Sequence, residues 1–175
     1  MPRKTATERG SRRRPTRSVK ATHQRPQPAI DVLVLSASAA LVYEPSGREV
    51  CISVTNPGSR SARLSSRFVD VLRVSFSDIA APSPFAFDKL FAPEHATAIV
   101  EFVNRWADAD RIVVHCLGGV SRSPAIALGI AELRGWPTDV LERQFPMWNT
   151  YVREQLVKVG RVHDRPRRAR REGSS

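Results

Sequence analysis

Cys116 and Arg122 stand six positions apart in the run Val113-Val114-His115-Cys116-Leu117-Gly118-Gly119-Val120-Ser121-Arg122-Ser123. A cysteine thiolate is a strong nucleophile, and the planar fork of arginine grips two phosphate oxygens in a way that lysine cannot match. Between them, Leu117, Gly118, Gly119, Val120 and Ser121 form a short glycine-bearing loop. Backbone N–H groups that turn around one point form an anion-binding nest, and a helix that follows adds its positive N-terminal end. The same field favours thiolate over thiol at Cys116. Attack of sulfur on a phosphate ester is the chemistry this order suits. Ser123, directly after Arg122, also reads as a helix N-cap.

His115, Cys116, Gly119, Arg122 and Ser123 together spell His-Cys-x-x-Gly-x-x-Arg-Ser. This resembles the signature of the cysteine-based protein tyrosine phosphatases, the dual-specificity group included, at every fixed position. The resemblance implies a phosphomonoester hydrolase, a protein tyrosine or dual-specificity phosphatase working through a phosphocysteine intermediate and needing neither cofactor nor metal. It makes residues 117–122 the phosphate-binding loop, gives Ser123 the task of helping sulfur leave, and has His115 order the loop by hydrogen bonding. It also calls for an upstream aspartate on a mobile loop as general acid. Asp78 suits that role, because it follows an expected strand and opens a proline-rich loop. Asp88 is the alternative, nearer Cys116 and in the same connection. No Trp-Pro-Asp tripeptide stands here and the chain is short, which points to the compact dual-specificity-like branch.

The elements that must position these groups can be read from pattern. Residues 31–35, 50–54, 69–76 and 112–114 are apolar or β-branched runs and are expected strands; Asn56-Pro57-Gly58 stops the second. Residues 36–41 form a short helix or turn. Residues 93–106 have helical spacing with Pro93 in the first turn, and residues 124–134 form a helix ended by Gly135-Trp136-Pro137. Thr138 opens another, and residues 148–159 the last. Strands alternating with helices give an α/β domain with a mainly parallel sheet flanked by helices, the small tyrosine phosphatase-like fold that the resemblance implies.

Charge is unevenly placed along the 175 residues. Residues 1–28 hold nine Lys/Arg against one acid, and residues 160–175 hold six Arg against two acids, so the body at 29–159 is close to neutral. Both ends lack large apolar residues and are expected to be disordered basic tails around a single domain at 29–159. Such tails suit an acidic partner or nucleic acid. That keeps two other readings open beside hydrolysis of phosphoproteins: an RNA 5'-phosphatase, and a catalytically weak phosphate-binding module.

No apolar run reaches the length needed to span a bilayer, and two dissimilar cysteines do not suggest a disulfide framework. A reduced, cytoplasmic protein is expected. Cys51 reads as a small buried residue, or as a disulfide partner for Cys116. The neutral side chains at 117, 118, 120 and 121 disfavour a highly charged inositol headgroup. His23, His95 and His163 do not stand at metal-ligand spacing, and Trp106, Trp136 and Trp148 read as packing residues.

Overall fold

The computed structural model describes residues 31–172, so the basic segment at 1–28 lies outside the described residues. Four strands, β1 (Asp31–Ser36), β2 (Glu49–Thr55), β3 (Asp70–Ser75) and β4 (Arg111–Cys116), form one sheet in the order β1-β4-β2-β3. Every pairing is parallel. β2 and β4 are central and almost wholly buried, which is why their sequences are continuous apolar runs and not alternating ones. Around them lie α1 (Ala37–Val42), α2 (Pro93–Arg105), α3 (Arg122–Arg134), α4 (Asp139–Gln144) and α5 (Thr150–Glu172).

Alternate residues of the central strands face two different cores. Ile52, Val54, Ile112 and Val114 pack with α2, α3 and α5. Cys51 and Val113 face the other way, against Phe68, Leu64 and Tyr43. The middle helix, α3, is buried from Arg122 to Ala131. A Cβ on Gly129 would come within 2.8 Å of Leu156, so this glycine allows α3 and α5 to approach closely.

Two boundaries differ from the sequence expectation. Helix α3 begins at Arg122, two residues before Pro124, with Ser121 at the N-cap. Proline within the first turn is compatible with this, because the first N–H groups of a helix have no intrahelical acceptor. At the other end, α5 continues to Glu172, through most of the segment expected to be a disordered tail. Gly160 explains the continuation of packing past residue 159. It is buried, and a Cβ there would collide with the Leu133 side chain.

Candidate active site

β4 carries its C-terminal residue, Cys116, to the carboxyl edge of the parallel sheet, where open α/β folds place their ligands. The chain then turns through residues 117–121 into α3. The turn is pinned to its neighbour: Ala37 N–H donates to the Leu117 carbonyl at 3.1 Å. Of the two adjacent glycines, only Gly119 is demanded by geometry. Its φ is 72°, and a Cβ would lie 2.8 Å from Ser36 N and 2.9 Å from Leu35 C. At Gly118 a Cβ would meet only Val120, at 3.5 Å.

Sulfur sits in a cradle of donors. Cys116 Sγ accepts the Gly119 N–H at 3.3 Å and the Ser123 hydroxyl at 3.1 Å. Burial works against the thiolate and pushes the thiol up, but several groups outweigh it. These are the Ser123 hydroxyl, the Ser123 and Gly119 amides and the Arg122 charge, and the net result is a lowered Cys116 pKa. Ser123 is therefore a thiolate donor inside the first turn of α3 and not its N-cap. Cys51, equally buried, has a different setting. It lies in the core on the opposite side of the sheet from Cys116, which rules out the disulfide considered above, and burial pushes its thiol up to about 12.

Arg122, only 3 % exposed, is held by its own contacts before any ligand. One terminal nitrogen donates to the Phe76 carbonyl at 2.7 Å, and the guanidinium carbon lies 5.9 Å from the Phe76 ring centroid. Its Nε is buried and has no hydrogen-bond partner. A buried charged donor without a hydrogen bond is costly, and an anion in the loop is an acceptor that would satisfy it.

Asp78 and Asp88 both line the cleft of about 590 Å³ that contains Cys116 and Arg122. They differ in their ties to the loop. Asp78 Oδ1 accepts the Ser121 hydroxyl at 2.7 Å, and Asp78 Oδ2 lies 3.9 Å from Arg122 Nε. Asp88 instead accepts a hydrogen bond from Ser83 within its own segment. Leu117 and Val120, with Phe87 and the Phe85 ring stacked on it at 5.5 Å, form an exposed apolar rim. Among the described residues Arg122 is the one basic residue that lines the cleft.

His115 points away from the sulfur. Its Nε2 shares a hydrogen bond with Ser53 Oγ of β2 at 2.9 Å, so it ties β4 to β2 beneath the loop. Burial lowers its pKa and favours the neutral ring. His95 is also neutralised by burial, and its Nδ1 accepts the Ala92 N–H at the start of α2.

Ser53 and Asn149 were not identified from sequence. Asn149 Nδ2 donates to Asp78 Oδ1 at 3.0 Å, across 71 positions of chain. The sequence expectation put Asn149 inside the last helix at 148–159, and an asparagine at a helix start suggests at most a cap, not a contact with Asp78. Among the described residues no group of three or more His, Cys, Asp or Glu could hold a metal ion, and no helix is long and apolar enough to cross a membrane.

No protein-family model matches the chain, and no curated protein matches it in sequence. Solved structures do match. Human DUSP28 superposes with a TM-score of 0.51 at 21% identity, over 80% of this chain and 98% of that one. Human tyrosine phosphatase-like serine/threonine/tyrosine-interacting protein gives 0.52 at 16% identity, over 75% and 92%. PTPMT1, solved in complex with PI(5)P, gives 0.50 at 18% identity, over 75% and 91%.

Proposed function

Starting from a chain with the fold of the cysteine-based, dual-specificity-like tyrosine phosphatases, we propose that it hydrolyses phosphomonoesters on protein substrates. The observation that carries this reading is the Cys116 sulfur, lowered in pKa and enclosed by the Gly119 and Ser123 donors beside the Arg122 guanidinium.

Two steps complete the reaction. Cys116 thiolate attacks phosphorus while the loop amides and Arg122 hold the equatorial oxygens. The bond from phosphorus to the ester oxygen breaks, and its electron pair leaves with that oxygen, which takes a proton from Asp78. Water then attacks the phosphocysteine and gives a proton back to Asp78. The P–S bond breaks, with Ser123 hydrogen-bonding the departing sulfur, and inorganic phosphate and thiolate are released.

The substrate reading rests on the cleft walls. Among the described residues Arg122 is the single cation in the lining, and the rim is apolar, which favours one phosphate on a polypeptide side chain over a polyphosphorylated headgroup. The decisive experiment compares wild type with Cys116→Ser on a small aryl phosphate, with chelator present. Chelator-insensitive hydrolysis, abolished in the variant, is the expected result. Activity that survives in Cys116→Ser removes the cysteine mechanism. A folded, reduced wild type that binds phosphate but does not turn over would assign the protein as a phosphate-binding module.

A further inference from the structure

We propose that the connection between β2 and β3 is a docking track for acidic residues flanking the phosphorylated residue of a protein substrate. The inference deepens the reading above and rests on it, because the track leads out of the phosphate cleft.

The connection begins at the cleft itself. Asn56, Pro57 and Ser59 line it, and Ser59 N–H donates to the Asn56 carbonyl at 3.1 Å, closing a turn with Gly58 at φ 74°. Arg60 follows directly, then Arg63 and Arg67, and no acid stands anywhere from residue 56 to residue 69. All three arginines are exposed.

Their lack of partners sets them apart among the described residues. Arg48, Arg105, Arg111, Arg143, Arg153 and Arg161 each face a carboxylate within ion-pair distance. The side chains of Arg60, Arg63 and Arg67 have no ion pair and no hydrogen bond within the described chain. Glu44, whose carboxylate reaches the connection, accepts the Ser65 hydroxyl at 2.7 Å instead. Three like charges within so short a segment repel one another, and an external anion removes that cost.

The backbone beneath them is fixed before any substrate arrives. Phe68 is buried and Leu64 half-buried in the core on that face of the sheet. Arg73 of β3 donates to the Ala62 carbonyl at 3.2 Å, and Val69 N–H donates to the Glu49 carbonyl at 2.9 Å. A charge carried on ordered backbone lowers the ordering cost of binding.

The connection therefore runs the length of β2, from the carboxyl edge of the sheet at Asn56 to the amino edge at Val69, about 20 Å. An extended polypeptide advances about 3.3 Å per residue, so carboxylates about two to six positions from the phosphorylated residue fall along this track. Phe87, Leu117 and Val120 at the cleft rim suit a chain that carries apolar and acidic side chains together. A polynucleotide would set a further phosphate near that rim at every unit.

The test uses the full chain and two phosphotyrosine peptides, one with glutamates on both sides of the phosphorylated residue and one with glutamines in their place. Wild type is compared with a variant carrying Arg60→Gln, Arg63→Gln and Arg67→Gln, and phenyl phosphate reports the bare site. An exposed ion pair contributes about twofold, so wild type is expected to favour the glutamate peptide by about tenfold in kcat/KM, carried by KM. The preference should fade as salt is raised and be lost in the variant, with phenyl phosphate turnover unchanged. Equal kcat/KM for the two peptides in wild type overturns the track and leaves the phosphatase reading intact. A preference that survives the triple substitution does the same, and assigns it to basic residues elsewhere in the chain. Hydrolysis of a 5'-phosphorylated oligonucleotide that falls in the variant, while the peptide preference does not, overturns the track in favour of nucleic acid. A wild type inert on phenyl phosphate and on both peptides removes the phosphatase reading and this inference together.

Discussion

Burial and hydrogen bonding pull the Cys116 sulfur in opposite directions, and the hydrogen bonds win. Ser123 makes the most direct of these contacts, 3.1 Å from Sγ, so it is the residue whose loss should be felt in both halves of the reaction. Ser123→Ala is expected to move the pH dependence of Cys116 alkylation upward and to lower kcat by about tenfold, since a hydrogen bond to a charged group contributes about 1.5–3 kcal/mol. A pre-steady-state burst of released alcohol should appear, because the phosphocysteine now breaks down slowly. Unaltered alkylation and no burst would mean the hydroxyl serves only the helix. At this scale Cys116, Gly119, Arg122 and Ser123 were legible because they are neighbours in sequence, and their spacing is itself the site. Asn149 and Ser53 were not, because each acquires its partner only through packing.

Elements position these residues through close backbone approaches more than through side-chain contacts. The phosphate loop can lie against β1 and the start of α1 only because Gly119 has φ 72° and no Cβ. Gly119→Ala adds left-handed strain of about 1–2 kcal/mol and a contact with backbone that cannot yield. Its kcat/KM is expected to fall by about 100-fold, because displacing the cradle by even 1 Å is that costly. Gly118→Ala, with room for its methyl, should lose far less, and equal losses in the two variants would refute the geometric distinction. The four strands and the helix before β4 were evident from periodicity. The start of α3 at Arg122 and the packing of α5 past residue 159 were not, since the first depends on the path of the loop to Ser121 and the second on Gly160 meeting Leu133.

For the molecule as a whole, two histidines connect the fold to pH, His115 buried and His95 half-buried. His115 and His95 both have pKa values lowered by burial, so the unfolded chain binds their protons first as pH falls. Stability is therefore complete above the ordinary histidine pKa of about 6.5 and is lost as pH drops from there through the folded values. The urea midpoint is expected to fall between about pH 7.5 and 5.5. His115→Asn should flatten that fall in part, leaving the contribution of His95; an unchanged slope would show that His115 is not the titrating group. The sequence by itself determined the architecture and brought Cys116, Gly119 and Arg122 around one turn. Buried apolar runs alternating with helical spacing specify a parallel sheet with helices against it. Only the tertiary structure decided which carboxylate meets the nest and what holds it there. Asp78 and Asn149 are far apart in sequence, and a hydrogen bond of 3.0 Å between them depends on how β3, α3 and α5 pack, not on any local preference of either residue.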